Sequence, residues 1–340
     1  MTKDILKNII LLVLSIILTS MALEVALRSL GFRPYTPYKK LNVTSGGTTF
    51  KKHDRLGYTH LPGQFYVSWP DGYTVKTTHL PNSNRITKND RENESKDKDN
   101  LWIFGCSYTY GYSLNDEETF PWLIQQQLNN YDVQNFGVTG YGTLQSLLQF
   151  KLATESEKTP KVVVLSYAPF HDSRNTFSRS WRKALSSRKY LGERSFPFVR
   201  NTNSGITNVS YGKVEYSGLS MLGKSSLMNY IDDRTNILQE RFALDSNTVS
   251  LKLIEEFNAI AKQKNIKFVL AIISTEKLNT KMIDKIKSEG ISVIDISVDL
   301  SANGNRNDPH DWHPSYKANK QYAAKLIAGL MDLKIIESQN

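Results

Sequence analysis

The sequence predicts an α/β protein with a parallel central sheet covered by helices on both faces. Three observations carry this expectation. Short apolar runs recur at "LWIFG" (101–105), "DVQNFG" (132–137), "KVVVLSYA" (161–168), "IKFVLAIIS" (266–274) and "GISVIDISV" (290–298). Segments with helical spacing lie between or beside them, at 116–130, 143–154, 250–265, 274–290 and 319–334. "KVVVLSYA" is apolar without alternation, as expected of a strand buried on both faces. Strands alternating with helices build a three-layer α/β/α arrangement around a parallel sheet.

The N-terminus predicts a membrane segment. "NIILLVLSIILTSMAL", residues 8–23, carries no charge, and apolar character continues past Glu24 to Leu27. A spanning helix needs roughly 20 apolar residues, and the segment reaches that length. A cleaved signal peptide is the rival reading. Its apolar core is shorter, about 7–15 residues, and ends at a small-x-small site. "SMA" at 20–22 offers such a site. Residues 1–34 are therefore an anchor or signal segment, with length favouring an uncleaved anchor and cleavage giving a secreted protein. Lys3 and Lys7 precede the span, while Arg28, Arg33, Lys39 and Lys40 follow it. The charge count alone leans towards a cytoplasmic C-terminal domain.

Residues 35–98 read as a spacer and a small β-rich element. Pro70-Asp71-Gly72 is a turn signal between "QFYVSW" and "YTVKTTHL", which predicts a hairpin. Residues 88–100 are charged and nearly free of apolar groups, as in a loop. The main domain is expected over 99–340. Residues 175–245 break the strand–helix alternation and read as an insertion at about those bounds.

Composition limits the partners. The 340-residue chain carries a net charge of +10 and has a single cysteine. One cysteine excludes an intrachain disulfide. The basic residues are spread along the chain, with no compact block interleaved with aromatics, so no nucleic-acid partner is expected.

Four polar stretches follow predicted strands, where open parallel sheets form their sites. "FGCSYTYG" follows "LWIF" and presents Ser107 at a strand-to-helix turn, beside Cys106. A serine hydroxyl is a weak nucleophile and needs a neighbouring base. "NFGVTGYGT" contains Gly140, whose N–H could face a developing oxyanion. "APFHDSRN" supplies His171, Asp172, Arg174 and Asn175 at the end of "VVVLSY". "NDPHDWHPS" holds two Asp-x-His pairs, Asp308/His310 and Asp311/His313. An Asp beside a His can bond one ring nitrogen and leave the other as base. Taken singly, each stretch also suits an ordinary turn, cap or solvated loop. A metal cluster is a poor reading, because cysteine and further histidine spacing are missing, and no cofactor is expected. The glycine stretches lack the spacing of a phosphate cradle.

Together the four stretches resemble the SGNH (GDSL-type) hydrolase family, in the family's order, over about residues 101–335. "GCSYTYG" resembles the first block, with Ser107 in the nucleophile position and Cys106 where the family often has Asp. "NFGVTGYGT" resembles the second block, with Gly140 in the oxyanion-hole position. "DWHPS" resembles the fifth, with Asp311 and His313 as acid and base. "YAPFHDSRN" stands where the third block belongs, with His171 in the place of the family's Asn, so that either an N–H of His171 substitutes as a donor or the site has reduced activity. "LNDEETFP" at 114–121 also fits the bacterial envelope branch, which includes relatives of polysaccharide O-acetyltransferases.

The resemblance implies a flavodoxin-like SGNH fold and a Ser-His-Asp esterase. Its expected substrate is an ester-bearing envelope glycan or lipid, with acetyl the first expectation for the acyl group. An O-acyltransferase serving an exported polysaccharide is the alternative, and a non-catalytic glycan-binding protein on the same fold is another. The resemblance also implies a domain outside the cytoplasmic membrane, on the periplasmic side, against the charge count. Long domains translocate largely regardless of charge. Tyr108, Tyr110, Tyr112 and Trp312 fit either sugar stacking or packing.

Overall fold

The computed structural model describes residues 3–38, 41–44, 46–89, 98–156, 158–188, 191–202, 205–218, 221–243 and 245–337. Residues 90–97 of the expected charged loop lie outside them. The chain opens with α1 (Lys3–Ser29), which has no buried residue and a mean hydropathy of 2.5 over its apolar window. Five short strands follow: β1 (Asn42–Val43), β2 (Phe50–His53), β3 (Gly57–His60), β4 (Gly63–Ser68) and β5 (Thr74–His79). β2 and β3 form one antiparallel pair, and β1, β4 and β5 form a three-stranded sheet. The predicted turn joins β4 to β5: Trp69 N–H donates to the Tyr73 carbonyl at 2.8 Å, and Tyr73 N–H to Asp71 Oδ1 at 3.1 Å.

The strand–helix alternation then begins. β6 (Asp99–Gly105) leads into α2 (Ser107–Tyr110) and α3 (Phe120–Gln127). β7 (Tyr131–Gly137), α4 (Thr143–Ser156), β8 (Val162–Tyr167) and α5 (His171–Asn175) follow. The expected insertion contains α6 (Arg179–Ser186), the short strands β9 (Ser195–Phe198), β10 (Asn201–Thr202), β11 (Gly205–Ile206) and β12 (Ser210–Lys213), and α7 (Ser226–Ala243). The chain closes with α8 (Ser246–Gln263), β13 (Lys267–Ile272), α9 (Thr280–Ser288), β14 (Ser292–Asp295) and α10 (Tyr316–Asp332).

The chain divides into two units. One holds Met1–Lys39, Arg179–Lys189 and Val214–Ala243. Within it, the end of α1 is tied to the start of α7. Glu24 accepts hydrogen bonds from Ser225 Oγ at 2.8 Å and from the Ser226 and Leu227 N–H groups, both at 2.9 Å. A carboxylate there satisfies orphan amides and complements the helix dipole. α6 joins the same helix through Lys183, whose ammonium lies 2.8 Å from Asp232 and 2.7 Å from Asp233.

The other unit holds the sheets, including the β-rich element from Lys40 onwards. Its five-stranded sheet has the order β14-β13-β8-β6-β7, every neighbour parallel. Numbered along the sheet's own strands this is 5-4-3-1-2, a doubly wound order that reverses beside its first strand, β6. Alternation along β6 sorts the two layers, because successive side chains point to opposite faces. Leu101 and Ile103 join the core cluster that contains Phe120 of α3 and Tyr322 and Leu326 of α10. Phe104 turns to the other face, against Phe150 of α4 and Phe257 of α8. The predicted α/β/α architecture is observed, with all five predicted strands within a few residues of their expected limits. Doubly wound sheets form their crevice at the carboxyl ends of the strands where the order reverses. The residue that follows β6 and Cys106 is Ser107.

Candidate active site

The sharp turn after β6 depends on small residues. A Cβ at Gly105 would lie 2.2 Å from Thr109 Oγ1, and one at Gly137 would lie 2.4 Å from the Tyr110 amide nitrogen. Glycine at both positions lets α2 sit tightly between the ends of β6 and β7. Gly111, with φ +80°, ends α2 in the left-handed conformation that glycine adopts without strain. The two residues at the turn part company. Cys106 packs into the apolar core with Phe120 and Tyr322. Ser107 directs its hydroxyl to His313.

Ser107 Oγ lies 3.1 Å from His313 Nε2, across 206 residues of sequence. His313 Nδ1 is hydrogen-bonded to Asp311 Oδ1, and the same oxygen accepts the His313 backbone N–H at 2.8 Å. A carboxylate accepting from Nδ1–H leaves Nε2 as the basic nitrogen. Burial pushes the Asp311 carboxyl up, but its bonds to and charge interaction with His313, and the Trp69 indole beside it, outweigh this and hold it below the usual carboxylate range. The pair is nearly closed to solvent, with side chains 10% and 12% exposed. Trp312 stacks on the His313 ring at 4.1 Å, and Tyr112 lies across it at 4.6 Å.

Gly140 sits in the loop between β7 and α4 with φ +87°. Among the described residues no hydrogen bond uses its N–H or that of Ser107. The loop is held from two sides. Arg174 Nη1 donates to the Tyr141 carbonyl at 2.7 Å, and Asn175 Oδ1 accepts the Leu144 N–H at 3.0 Å. On the other side Tyr58 donates its hydroxyl to the Thr139 carbonyl at 2.6 Å, while the Tyr141 hydroxyl bonds the Tyr58 carbonyl.

His171 is fully buried, edge-on to Tyr167 and Phe170. Burial, and then Arg174, push its pKa well below the usual histidine value, so the ring is neutral. Neither ring nitrogen has a hydrogen-bond partner, and no bond joins it to Ser107, Gly140 or His313 among the described residues. Asp172 beside it accepts from Tyr167 Oη, Ser250 Oγ and Asn247 Nδ2.

Of the two Asp-x-His pairs, only Asp311/His313 pairs internally. His310 Nδ1 instead meets Asp71 Oδ2 at 2.7 Å, because the β4–β5 turn reaches the loop that carries it. The tyrosines of the nucleophile turn also separate. Tyr108 and Tyr110 are buried packing residues, whereas Trp312 is 55% exposed. Sequence reasoning passed over Arg85. This residue is 1% exposed and grips the end of α2: its guanidinium donates to the carbonyls of Tyr110 at 2.9 Å, Gly111 at 2.7 Å and Leu114 at 2.7 Å, and pairs with Asp116 at 3.0 Å. The buried cation is balanced by a carboxylate and carbonyls at once, which a buried charge requires.

No protein-family model and no curated protein matches the chain. Solved structures do. One is a member of the lipolytic protein G-D-S-L family from Veillonella parvula DSM 2008, at 10% identity and a TM-score of 0.39, covering 67% of this chain and 96% of that one. A psychrotrophic esterase from a Pseudoalteromonas species matches at 11% identity and 0.39, covering 70% and 99%. A catalytic mutant of an acetylxylan esterase from Geobacillus stearothermophilus matches at 11% identity and 0.35, covering 71% and 97%. At these scores the fold rests on the chain's own strand order, and the chemistry on the side chains at the end of β6.

Proposed function

We propose that this protein is a serine esterase with Ser107 as nucleophile, His313 as base and Asp311 as the carboxylate that orients the imidazole. The observation that carries this reading is the Ser107 Oγ–His313 Nε2 approach of 3.1 Å, with Asp311 on the far ring nitrogen, at the end of β6 beside the reversal of strand order. His313 removes the Ser107 proton as Oγ attacks the ester carbonyl. The imidazolium formed is balanced by Asp311, which stays ionised. The N–H groups of Ser107 and Gly140 receive the oxyanion, and His171 is the proposed third donor, since its buried ring has no other partner among the described residues. His313 then returns the proton to the leaving alcohol. Water activated by the same ring releases the acyl group.

The proposed substrate is an acyl ester, acetyl foremost, on a cell-envelope glycan or lipid. The exposed Trp312 ring, stacked on His313, supports a carbohydrate at the mouth of the site, because aromatic faces pack well against sugar rings. The same ring supports transfer to a sugar hydroxyl in place of water, and acetyl release against acetyl transfer on an O-acetylated polysaccharide separates the two. α1 is the proposed membrane anchor, with the sheet domain on the periplasmic side.

The test uses the full chain in detergent. Wild type should hydrolyse p-nitrophenyl acetate and be labelled at residue 107 by a fluorophosphonate. Ser107→Ala should lose both, with activity falling by about 10⁴-fold or more. Full activity in Ser107→Ala would overturn the assignment. A wild-type protein that binds glycan but resists labelling would make it a binding protein on this fold.

A further inference from the structure

The loop that carries Asp311 and His313 is not held by its own domain strands alone. The β4–β5 hairpin, some 240 residues earlier by the Asp71–His310 separation of 239, closes over it. Three contacts join them. Asp71 Oδ2 meets His310 Nδ1 at 2.7 Å. Tyr73 stacks on the His310 ring, centroids 4.2 Å apart and planes within 9°. The Tyr73 hydroxyl and Asn307 Nδ2 both donate to the Ser113 carbonyl, at 2.9 Å each, so hairpin, acid–base loop and nucleophile turn converge on one oxygen.

Trp69 stands at the base of this hairpin. It is 7% exposed and packs with Val67 and Val75. Its ring meets Tyr112 edge-on at 5.7 Å, and Tyr112 in turn lies on His313 at 4.6 Å. The Trp69 side chain also interacts with the Asp311 carboxylate as a hydrogen-bond donor, and its indole N–H is the one polar group it has to give. Indole nitrogen donates and never accepts, so this interaction favours the ionised carboxylate. Asp311 Oδ1 is already used by His313 twice, through the ring and the backbone. A further donor on the carboxylate restricts its rotation about the χ2 bond and keeps Oδ1 aimed at the imidazole.

We propose that the β4–β5 hairpin is a positioning arm for the acid–base loop and that Trp69 is its positioning residue, acting through Asp311 and, by way of Tyr112, on the His313 ring. Asp71 and Tyr73 hold the hairpin to the loop. The inference rests on the reading of Ser107, His313 and Asp311 as catalytic.

The experiment compares Trp69→Phe and Trp69→Ala in the full-length protein. Trp69→Phe keeps an aromatic ring against Tyr112 and removes the N–H. A hydrogen bond to a charged group lost from the transition state should lower kcat about 10- to 100-fold, with KM within about twofold. Trp69→Ala removes the ring as well and should lower kcat further. A merely structural role is separated by a double-mutant cycle. In an Asp311→Asn background, Trp69→Phe should cost little more, because the partner through which it acts is already altered. In the downfield proton spectrum the His313 Nδ1–H signal should shift or broaden in Trp69→Phe. Unchanged kcat in Trp69→Phe overturns the inference, and so does a loss of equal size in both backgrounds. An active Ser107→Ala protein would instead overturn the esterase reading itself, while an inactive Ser107→Ala with a fully active Trp69→Phe would overturn only the positioning arm.

Discussion

At the scale of single residues, the segment after β8 divides its polar groups between two tasks. Arg174 and Asn175 brace the Gly140 loop. Asp172 does something different: it is a buried carboxyl, 7% exposed, supplied with three side-chain donors. Burial raises its pKa from 3.8 to about 6, and the bonds from Ser250, Tyr167 and Asn247 limit the rise. The folded state holds the proton more tightly than the unfolded chain, so stability falls as pH rises from about 4 to about 6, and the penalty is fully present above that. Its size is on the order of 3 kcal/mol. Asp172→Asn removes the titration. Wild type should therefore lose stability relative to Asp172→Asn between pH 4 and pH 7, by denaturant unfolding. Parallel curves for the two proteins would show that the carboxyl is ionised at no cost.

At the scale of elements, the nucleophile turn works because three pieces of backbone approach closely. α2 is only four residues long, and its position is set from outside by Arg85 on its C-terminal carbonyls and by β7 along its flank. The Val138 N–H donates to the Gly105 carbonyl at 3.1 Å, which locks the end of β7 to the end of β6. Gly137→Ala should be the disruptive change here. Its methyl would press on backbone at 2.4 Å, which cannot swing aside as a flexible side chain can. We expect about 1–3 kcal/mol of destabilisation and a displaced Ser107. Thermal unfolding and fluorophosphonate labelling of the folded fraction check this, and a stable variant labelled at the wild-type rate would contradict the packing argument. The β-rich element is part of the same logic. Tyr58 grips the Gly140 loop, Arg85 and the bond of Tyr110 to His79 at 2.9 Å fix α2, and the β4–β5 hairpin reaches the acid–base loop. What reads as a spacer in one dimension touches the nucleophile turn, the Gly140 loop and the acid–base loop.

At the scale of the whole molecule, the N-terminal helix stands out by its exposed apolar surface. α1 exposes Leu11, Leu12, Leu18 and Val25 at 55–66%, a surface that water disfavours and a bilayer accepts. Its C-terminal end is built into its own unit through Glu24 and Arg28, whose Nη2 donates to the Lys224 carbonyl at 3.0 Å. An anchor that carries such contacts is expected to remain attached. The protein should stay with membranes after alkaline carbonate extraction, and intact mass should include residues 1–22. A soluble form beginning at Leu23 would mean that "SMA" is a cleavage site.

The strands, the helices between them and the order of the candidate site residues were legible in the sequence. Apolar runs such as Val162–Leu165 have no stable place except a buried strand, and a serine after such a strand emerges at its carboxyl end. Local patterns of this kind depend on neighbours a few residues apart. The partners of His310, Asp311 and Tyr110 did not follow from any local pattern. Asp308 lies two residues from His310 and still yields to Asp71, because the β4–β5 hairpin folds across the loop and presents the better-placed carboxylate. The roles of Trp69, Arg85 and Tyr58 likewise depend on contacts between segments far apart in the chain. The sequence by itself determined which residues are candidates for the site and on which edge of the sheet they stand. Only the tertiary structure decided that Cys106 turns into the core while Ser107 faces His313, and that a small β-element from before the sheet reaches the loop that carries His313. The physical reason is that strand and helix patterns are set by local periodicity, whereas the partner of a polar side chain is set by whichever distant group the packing of the core brings within 3 Å.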